Sequence, residues 1–256
     1  MNVDIKETMR AFYASEAGER DSEAWLEAGG SARIPEPPAA RYFVERKVAA
    51  AVAMAGAPPS ARVLEVGCSF GHMTFLLAER FADVTAVDLS PESIDLARRR
   101  AARWNVRHVR FVTADAERLQ GFADAAFDVV FSFSTLRFCP DPAAALGAFH
   151  RVLRPGGRLA VDFPNCRCPW YGPIKRRLAI EPHVHDRLFA AEEAERLVRA
   201  AGFAGVRSRT LLFTSKRVPT AALPAFRVAD ALLERVPGIR RYAGIVMVRG
   251  ERRASD

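Results

Sequence analysis

The residue types best suited to chemistry in this 256-residue chain are acids and glycines set at intervals between residues 65 and 116. Glu65 closes a short apolar run, Gly67 and Gly71 follow within one tight turn, and Asp88 closes the next apolar run. A strand that ends in a glycine loop and then a helix makes a nucleotide cradle. Glycines let the backbone approach a ligand, and the first turn of a helix offers unpaired N–H groups. An acid about 20 residues past such a loop is placed to accept from a ribose diol, which is where Asp88 stands. A third acid, Asp115, follows the run Val109 to Thr113 and reads as a ligand acceptor, a helix N-cap, or both.

The elements that must hold these residues alternate. Arg62 to Val66 is a buried strand, and His72 to Phe81 a helix with Met73, Leu76, Leu77 and Phe81 on one face. Ser90 and Pro91 start a helix over 91–103 as N-cap and first helical residue. Strands follow at 109–113 and 127–133. Asp141-Pro142 opens a helix that buries Leu146, Phe149 and Leu153, and Pro155-Gly156-Gly157 turns it into a strand over 158–163. A helix at 190–201, stopped by Gly202, precedes a strand at 204–213, and Ile245 to Val248 forms the last strand. This strand–helix rhythm predicts an α/β domain around a mostly parallel sheet. Upstream, residues 1–57 read as a helical cap. Between Pro219 and Pro237 a linker leads into an amphipathic helix whose stripe Phe226, Ala229, Leu232, Leu233 and Val236 is expected to pack inward. Arg227, Arg235, Arg240 and Arg241 give that segment a basic face, and peripheral membrane contact is the alternative to core packing.

Glu65-x-Gly67-x-x-x-Gly71, followed by VTAVDLSPES, FVTADAERL, FDVVFSFSTLRFCPD and LRPGGRLAVDF, resembles the class I S-adenosylmethionine (SAM) dependent methyltransferases. The likeness is to their small-molecule, ubiquinone-methyltransferase-like branch. It implies a Rossmann-like, seven-stranded, doubly wound sheet of order 3-2-1-4-5-7-6 with the last strand antiparallel. N-terminal helices over 1–57 are expected to cap a core that spans 58–256 and includes an insertion after strand 5. The resemblance implies SAM as cofactor, contacted by Glu65, Gly67, Ser69, Gly71, Asp88, Leu89, Asp115, Ala116 and Ser132. Ser69 stands where the family usually has a second glycine, so its Cβ must avoid strongly positive φ or accept some strain. The same position, with His72, departs from the G-x-G-x-x-G of a nicotinamide site.

The stretch 164–189 leaves the simple alternation and is expected to wall the substrate side, because insertions at strand C-termini overlie the ligand crevice. It carries Trp170, Tyr171 and Ile174, the cations Lys175, Arg176 and Arg177, and the imidazoles His183 and His185. Two residues apart on an extended segment, both histidines face one way, and either suits removal of a proton from a methyl acceptor. His185 is preferred, since the family often has a histidine shortly before the phenylalanine that is Phe189 here. Cys166-x-Cys168 lacks zinc-ligand spacing and no metal is expected.

Four cysteines, Cys68, Cys139, Cys166 and Cys168, form no disulfide framework, and the N-terminus lacks the apolar core of a signal peptide. Both point to a reducing, cytoplasmic setting. Charge is uneven: residues 1–150 hold 17 Lys and Arg against 20 acids, whereas residues 151–256 hold 21 against 10. The basic half suits either a solvated surface or an anionic partner. A small, lipophilic or anionic methyl acceptor is the reading adopted. Nucleic acid is disfavoured by the lack of an Asn-Pro-Pro-Tyr-like motif, and a non-catalytic SAM-binding protein is the other alternative.

Overall fold

The computed structural model describes residues 5–19, 37–169, 171 and 187–254. Helices α1 (Ile5–Glu19) and α2 (Pro38–Ala55) precede β1 (Arg62–Val66), α3 (His72–Ala78), β2 (Asp83–Asp88), α4 (Pro91–Arg103) and β3 (Val109–Thr113). Then come β4 (Phe127–Ser132), α5 (Pro142–Val152), β5 (Leu153–Pro164), α6 (Ala191–Ala200) and β6 (Ala204–Leu211). The chain closes with α7 (Leu223–Leu233), α8 (Pro237–Arg240) and β7 (Ile245–Glu251). The strands form one seven-stranded sheet of order β3-β2-β1-β4-β5-β7-β6. β7 runs antiparallel between β5 and β6, as the resemblance implied.

Period-two alternation divides the core between the two faces of the sheet. Leu64, Val66, Val130, Leu159, Val161, Val246 and Val248 pack with α5 and α6. Val63, Val129, Phe131, Ala160, Ile245 and Met247 pack with α2. Helix boundaries follow their caps: the Ser90 hydroxyl accepts from Ser93 N, and Asp141 accepts from the amides of Ala143 and Ala144. α3 stops at Ala78, short of the expected Phe81, because the Arg80 amide bonds three residues back to Leu77 O while the Arg80 guanidinium takes the Leu76 carbonyl. β5 starts early. Its register against β4 jumps from Phe127–Leu153 to Val129–Arg158, so Pro155-Gly156-Gly157 is a bulge within the strand.

Two carboxylates tie the outer helices to the sheet. Asp162 of β5 lies 2.8 Å from the Lys47 ammonium of α2, and both side chains are buried. Glu234, just past α7, bonds Arg46 of α2 and Arg209 of β6, and also accepts from Leu212 N. The inward stripe expected for α7 is corrected here. Leu232 and Val236 are exposed, while Asp230 and Glu234 occupy the buried side. The amides of residues 212–214, at the end of β6, need acceptors, and leaving all three unpaired would cost more than burying one leucine would gain.

Candidate active site

β1, β2 and the turn after β3 bring their C-terminal ends to one cavity of about 580 Å³. Its wall includes Glu65, Gly67, Ser69, Asp88, Leu89, Asp115 and Ala116. Gly71 and Ser132 stay off that wall. Gly71 is the left-handed N-cap of α3, and Ser132 is buried with its hydroxyl donating to Val66 O at 2.9 Å. Ser134 and Thr135 line the cavity in its place.

The glycine loop is shaped by steric necessity. Gly67 has φ 81°, and a Cβ there would fall 1.9 Å from the Thr135 hydroxyl oxygen. Its amide and that of Cys68 both donate to Val87 O, which joins the loop to β2. Ser69 does adopt positive φ, at 48°, and its amide donates to Asp88 Oδ2 at 2.8 Å. The opposite oxygen of Asp88 accepts from Ser90 N at 3.0 Å. One carboxylate thus clamps both loops that flank the cavity. Burial raises the Asp88 pKa above the usual carboxylate range, against the lowering by these backbone bonds.

Glu65 lies deeper, buried, with Oε2 accepting from the Thr74 hydroxyl at 2.5 Å. Desolvation lifts its pKa to about 7; the Thr74 bond and Lys47 pull it down, and the Asp88 charge adds to the rise. Beyond Glu65, Lys47 donates to Ser134 Oγ at 2.7 Å, and Asp162 accepts from Ser134 N at 2.6 Å. The buried pair therefore fixes Ser134 at φ 56° on the cavity floor.

At the far end, Asp115 accepts from Glu117 N at 2.9 Å, the cap-like role its position suggested, although a turn rather than a helix follows. Lys6 of α1 reaches Asp115 and Glu117, each at 2.6 Å. Burial alone would lower the Lys6 pKa, but the two carboxylates outweigh it and hold the ammonium above its ordinary value.

The cavity wall mixes charges. Glu65, Asp88, Asp115 and Glu117 sit on strand ends and the turns after them, α1 brings Lys6, Arg10 and Glu16, and the segment after β6 brings Lys216 and Arg217. Met9, Phe12, Tyr13 and Phe138 add apolar surface, with Tyr13 edge-on to Phe138 at 6.2 Å. His72 is the one imidazole on this wall among the described residues, and pattern reading missed it because the first residue of a helix after a glycine loop reads as a capping position. His183, His185, Trp170, Ile174 and Lys175 to Arg177 lie outside the described residues. Tyr171 is described, and burial lifts its pKa to about 12, opposed by Arg137. Among the described residues no group of histidines, cysteines and acids could hold a metal ion.

A mostly parallel sheet with a glycine loop after its central strand and an acid after the next defines a nucleotide-cofactor-binding α/β protein. Within that class, a family model described as a methyltransferase domain matches residues 64–161. A ubiquinone biosynthesis O-methyltransferase of Xanthomonas campestris pv. campestris is 34% identical over 169 residues, covering 64% of this chain and 67% of the relative. A malonyl-[acyl-carrier protein] O-methyltransferase of Pseudescherichia vulneris is 34% identical over 161 residues, covering 60% of this chain and 59% of the relative. The first curated relatives are matched over 36–59% of their own length. In fold, the chain is similar to a magnesium protoporphyrin IX methyltransferase of Synechocystis PCC 6803 with bound S-adenosylhomocysteine, at TM-score 0.65 and 17% identity, covering 96% and 99% of the two chains. The chain belongs to the SAM-dependent methyltransferase family.

Its residues fit the family's cofactor. The site has a loop position closed to any Cβ, an acid clamped at the end of β2, and a second acid on the wall beyond β3.

Proposed function

We propose that this protein transfers a methyl group from SAM to an oxygen, nitrogen or carbon nucleophile of a small, lipophilic or anionic metabolite. The observation that carries the proposal is the make-up of the cavity, with four acids at the strand ends and the turns after them, and with cations, aromatic rings and one acid, Glu16, on α1 and the segment after β6. Bound there, SAM supplies an electrophilic methyl on a sulfonium. An electron pair of the nucleophile, a lone pair on oxygen or nitrogen or a π pair on carbon, would take that methyl as the carbon–sulfur bond leaves its pair on sulfur.

The chain's own residues orient this displacement. Glu65 faces the ammonium end, Asp88 the ribose hydroxyls, and Asp115 with the Ala116 backbone the adenine. Gly67, Ser69 and Leu89 supply the close walls between them. Positioning of this kind accounts for much of the rate in an in-line transfer. Where the nucleophile carries a proton, His185, with His183 as the second choice, receives it as the methyl moves. Arg10, Lys216 and Arg217 suit a carboxylate or phosphate on the acceptor, and Met9, Phe12 and Phe138 suit its apolar part. A cavity of about 580 Å³ is of the size that encloses small ligands, so nucleic acid is not the acceptor it favours.

Incubation with methyl-labelled SAM and fractionated lipophilic and anionic extracts tests the proposal. Label should enter an acceptor, and the transfer should weaken in Arg217→Glu. Cofactor binding without transfer to any fraction would instead favour a non-catalytic SAM-binding role.

A further inference from the structure

We propose that the outer surface of α7 and α8 docks on an anionic lipid bilayer. Val228, Leu232, Val236, Ile239 and Tyr242 are the exposed large hydrophobic residues among those described, and all five fall within this one segment. Val228 is 59% exposed and Leu232 57%, one helical turn apart. At 3.6 residues per turn they lie on the side of α7 roughly opposite Leu223, Asp230 and Glu234, which are buried. The apolar ridge therefore points away from the core.

Charge is segregated on the same axis. Between Leu223 and Ala243 the only carboxylates are Asp230 and Glu234. Both are turned inward. Asp230 accepts from the amides of Phe213 and Thr214 and from the Thr214 hydroxyl, while Glu234 holds Leu212 N and the guanidinium groups of Arg46 and Arg209. Arg235, Arg240 and Arg241 are exposed, whereas Arg227 lies on the Glu234 side of α7 with its guanidinium over the Tyr42 ring of α2. The outer face thus carries aliphatic side chains, three arginines and no acid.

A bilayer surface stacks an acyl layer beneath a layer of phosphates, and an interfacial helix meets it with apolar side chains flanked by long cations. Tyr242, between Arg241 and the start of β7, belongs at the level between those layers. A second copy of the chain is a poor partner, because a self-complementary contact would bring six arginines together with no acid to meet them. An acidic protein would satisfy the arginines but gives no reason for apolar side chains to stand among them. Docking here would also serve the proposed transfer. The segment joining β6 to α7 carries Lys216 and Arg217 of the cavity wall, so a lipophilic acceptor would leave the membrane beside the site.

Co-sedimentation of the full chain with vesicles tests this, using phosphatidylcholine alone or mixed with phosphatidylglycerol. Binding should require phosphatidylglycerol and weaken in high salt. It should fall roughly tenfold or more in Arg240→Glu/Arg241→Glu, given the attraction of each cation near an anionic surface. Val228→Ser/Leu232→Ser should lose binding by a similar factor through the apolar contact. Both pairs of substitutions are at exposed positions, and SAM titration of each variant checks its fold independently of vesicles and of methyl transfer. Failure of the native chain to sediment with anionic vesicles would overturn the proposal. So would undiminished binding by the folded variants. Self-association in sedimentation velocity, or capture by polyglutamate beads, either one without vesicle binding, would assign the surface to another partner and overturn it as well.

Discussion

The Lys6 ammonium lies 2.6 Å from the Asp115 carboxylate, joining the first helix to a cavity acid 109 residues further along the chain. The same ammonium reaches Glu117, so one cation holds two carboxylates together and ties α1 across the cavity.

Lys6→Met should loosen α1 and leave two neighbouring carboxylates without their counter-charge. A partly exposed ion pair contributes up to about 1 kcal/mol, so SAM should dissociate roughly fivefold faster. Stopped-flow measurement of dissociation checks this, and an unchanged rate would mean that α1 stays closed without Lys6.

The Lys47–Asp162 pair is fully buried, and breaking such a pair costs about 3–5 kcal/mol because the remaining charge has no solvent. Lys47→Met should lose that much in chemical denaturation. Lys47→Met/Asp162→Asn should recover most of it, since asparagine still offers an oxygen to Ser134 N. A double variant no more stable than Lys47→Met would show that the charge on Asp162 is not the source of the loss.

Glu65 makes a pH-dependent contribution of the opposite sign from a surface carboxylate. Its folded pKa of about 7 lies above its ordinary 4.5, chiefly through burial, so the folded state favours the protonated acid. The native chain should lose stability relative to Glu65→Gln as pH rises from about 4.5 to about 7, and then level off. Denaturation midpoints across that interval measure the difference. A flat difference would mean that Glu65 titrates normally.

Much of the site was legible because its signals are local. Ser90 and Pro91 mark the start of α4, and the interval from Gly67 to Asp88 places the acid after β2 whatever the rest of the chain does. Longer-range pairings carry no such mark. Nothing in the sequence links Lys6 to Asp115 or Lys47 to Asp162, because each contact depends on how a helix settles against the sheet. α7 shows the same limit in another form. Its apolar spacing reads as an inward stripe, yet the bare amides of residues 212–214 draw Asp230 and Glu234 inside and turn Leu232 outward. Ser132 and Ser134 both follow the strand pattern, and only the three-dimensional arrangement separates the one bonded to Val66 O from the one on the cavity wall.

Calorimetric titration of SAM into the native chain and into Asp88→Ala tests the central claim most directly. Two charge-assisted hydrogen bonds from the ribose are worth about 3 kcal/mol, so the variant should bind about a hundredfold more weakly while keeping a cooperative thermal transition. Equal affinity in the two proteins, with the fold intact, would contradict the assignment of this cavity to the cofactor.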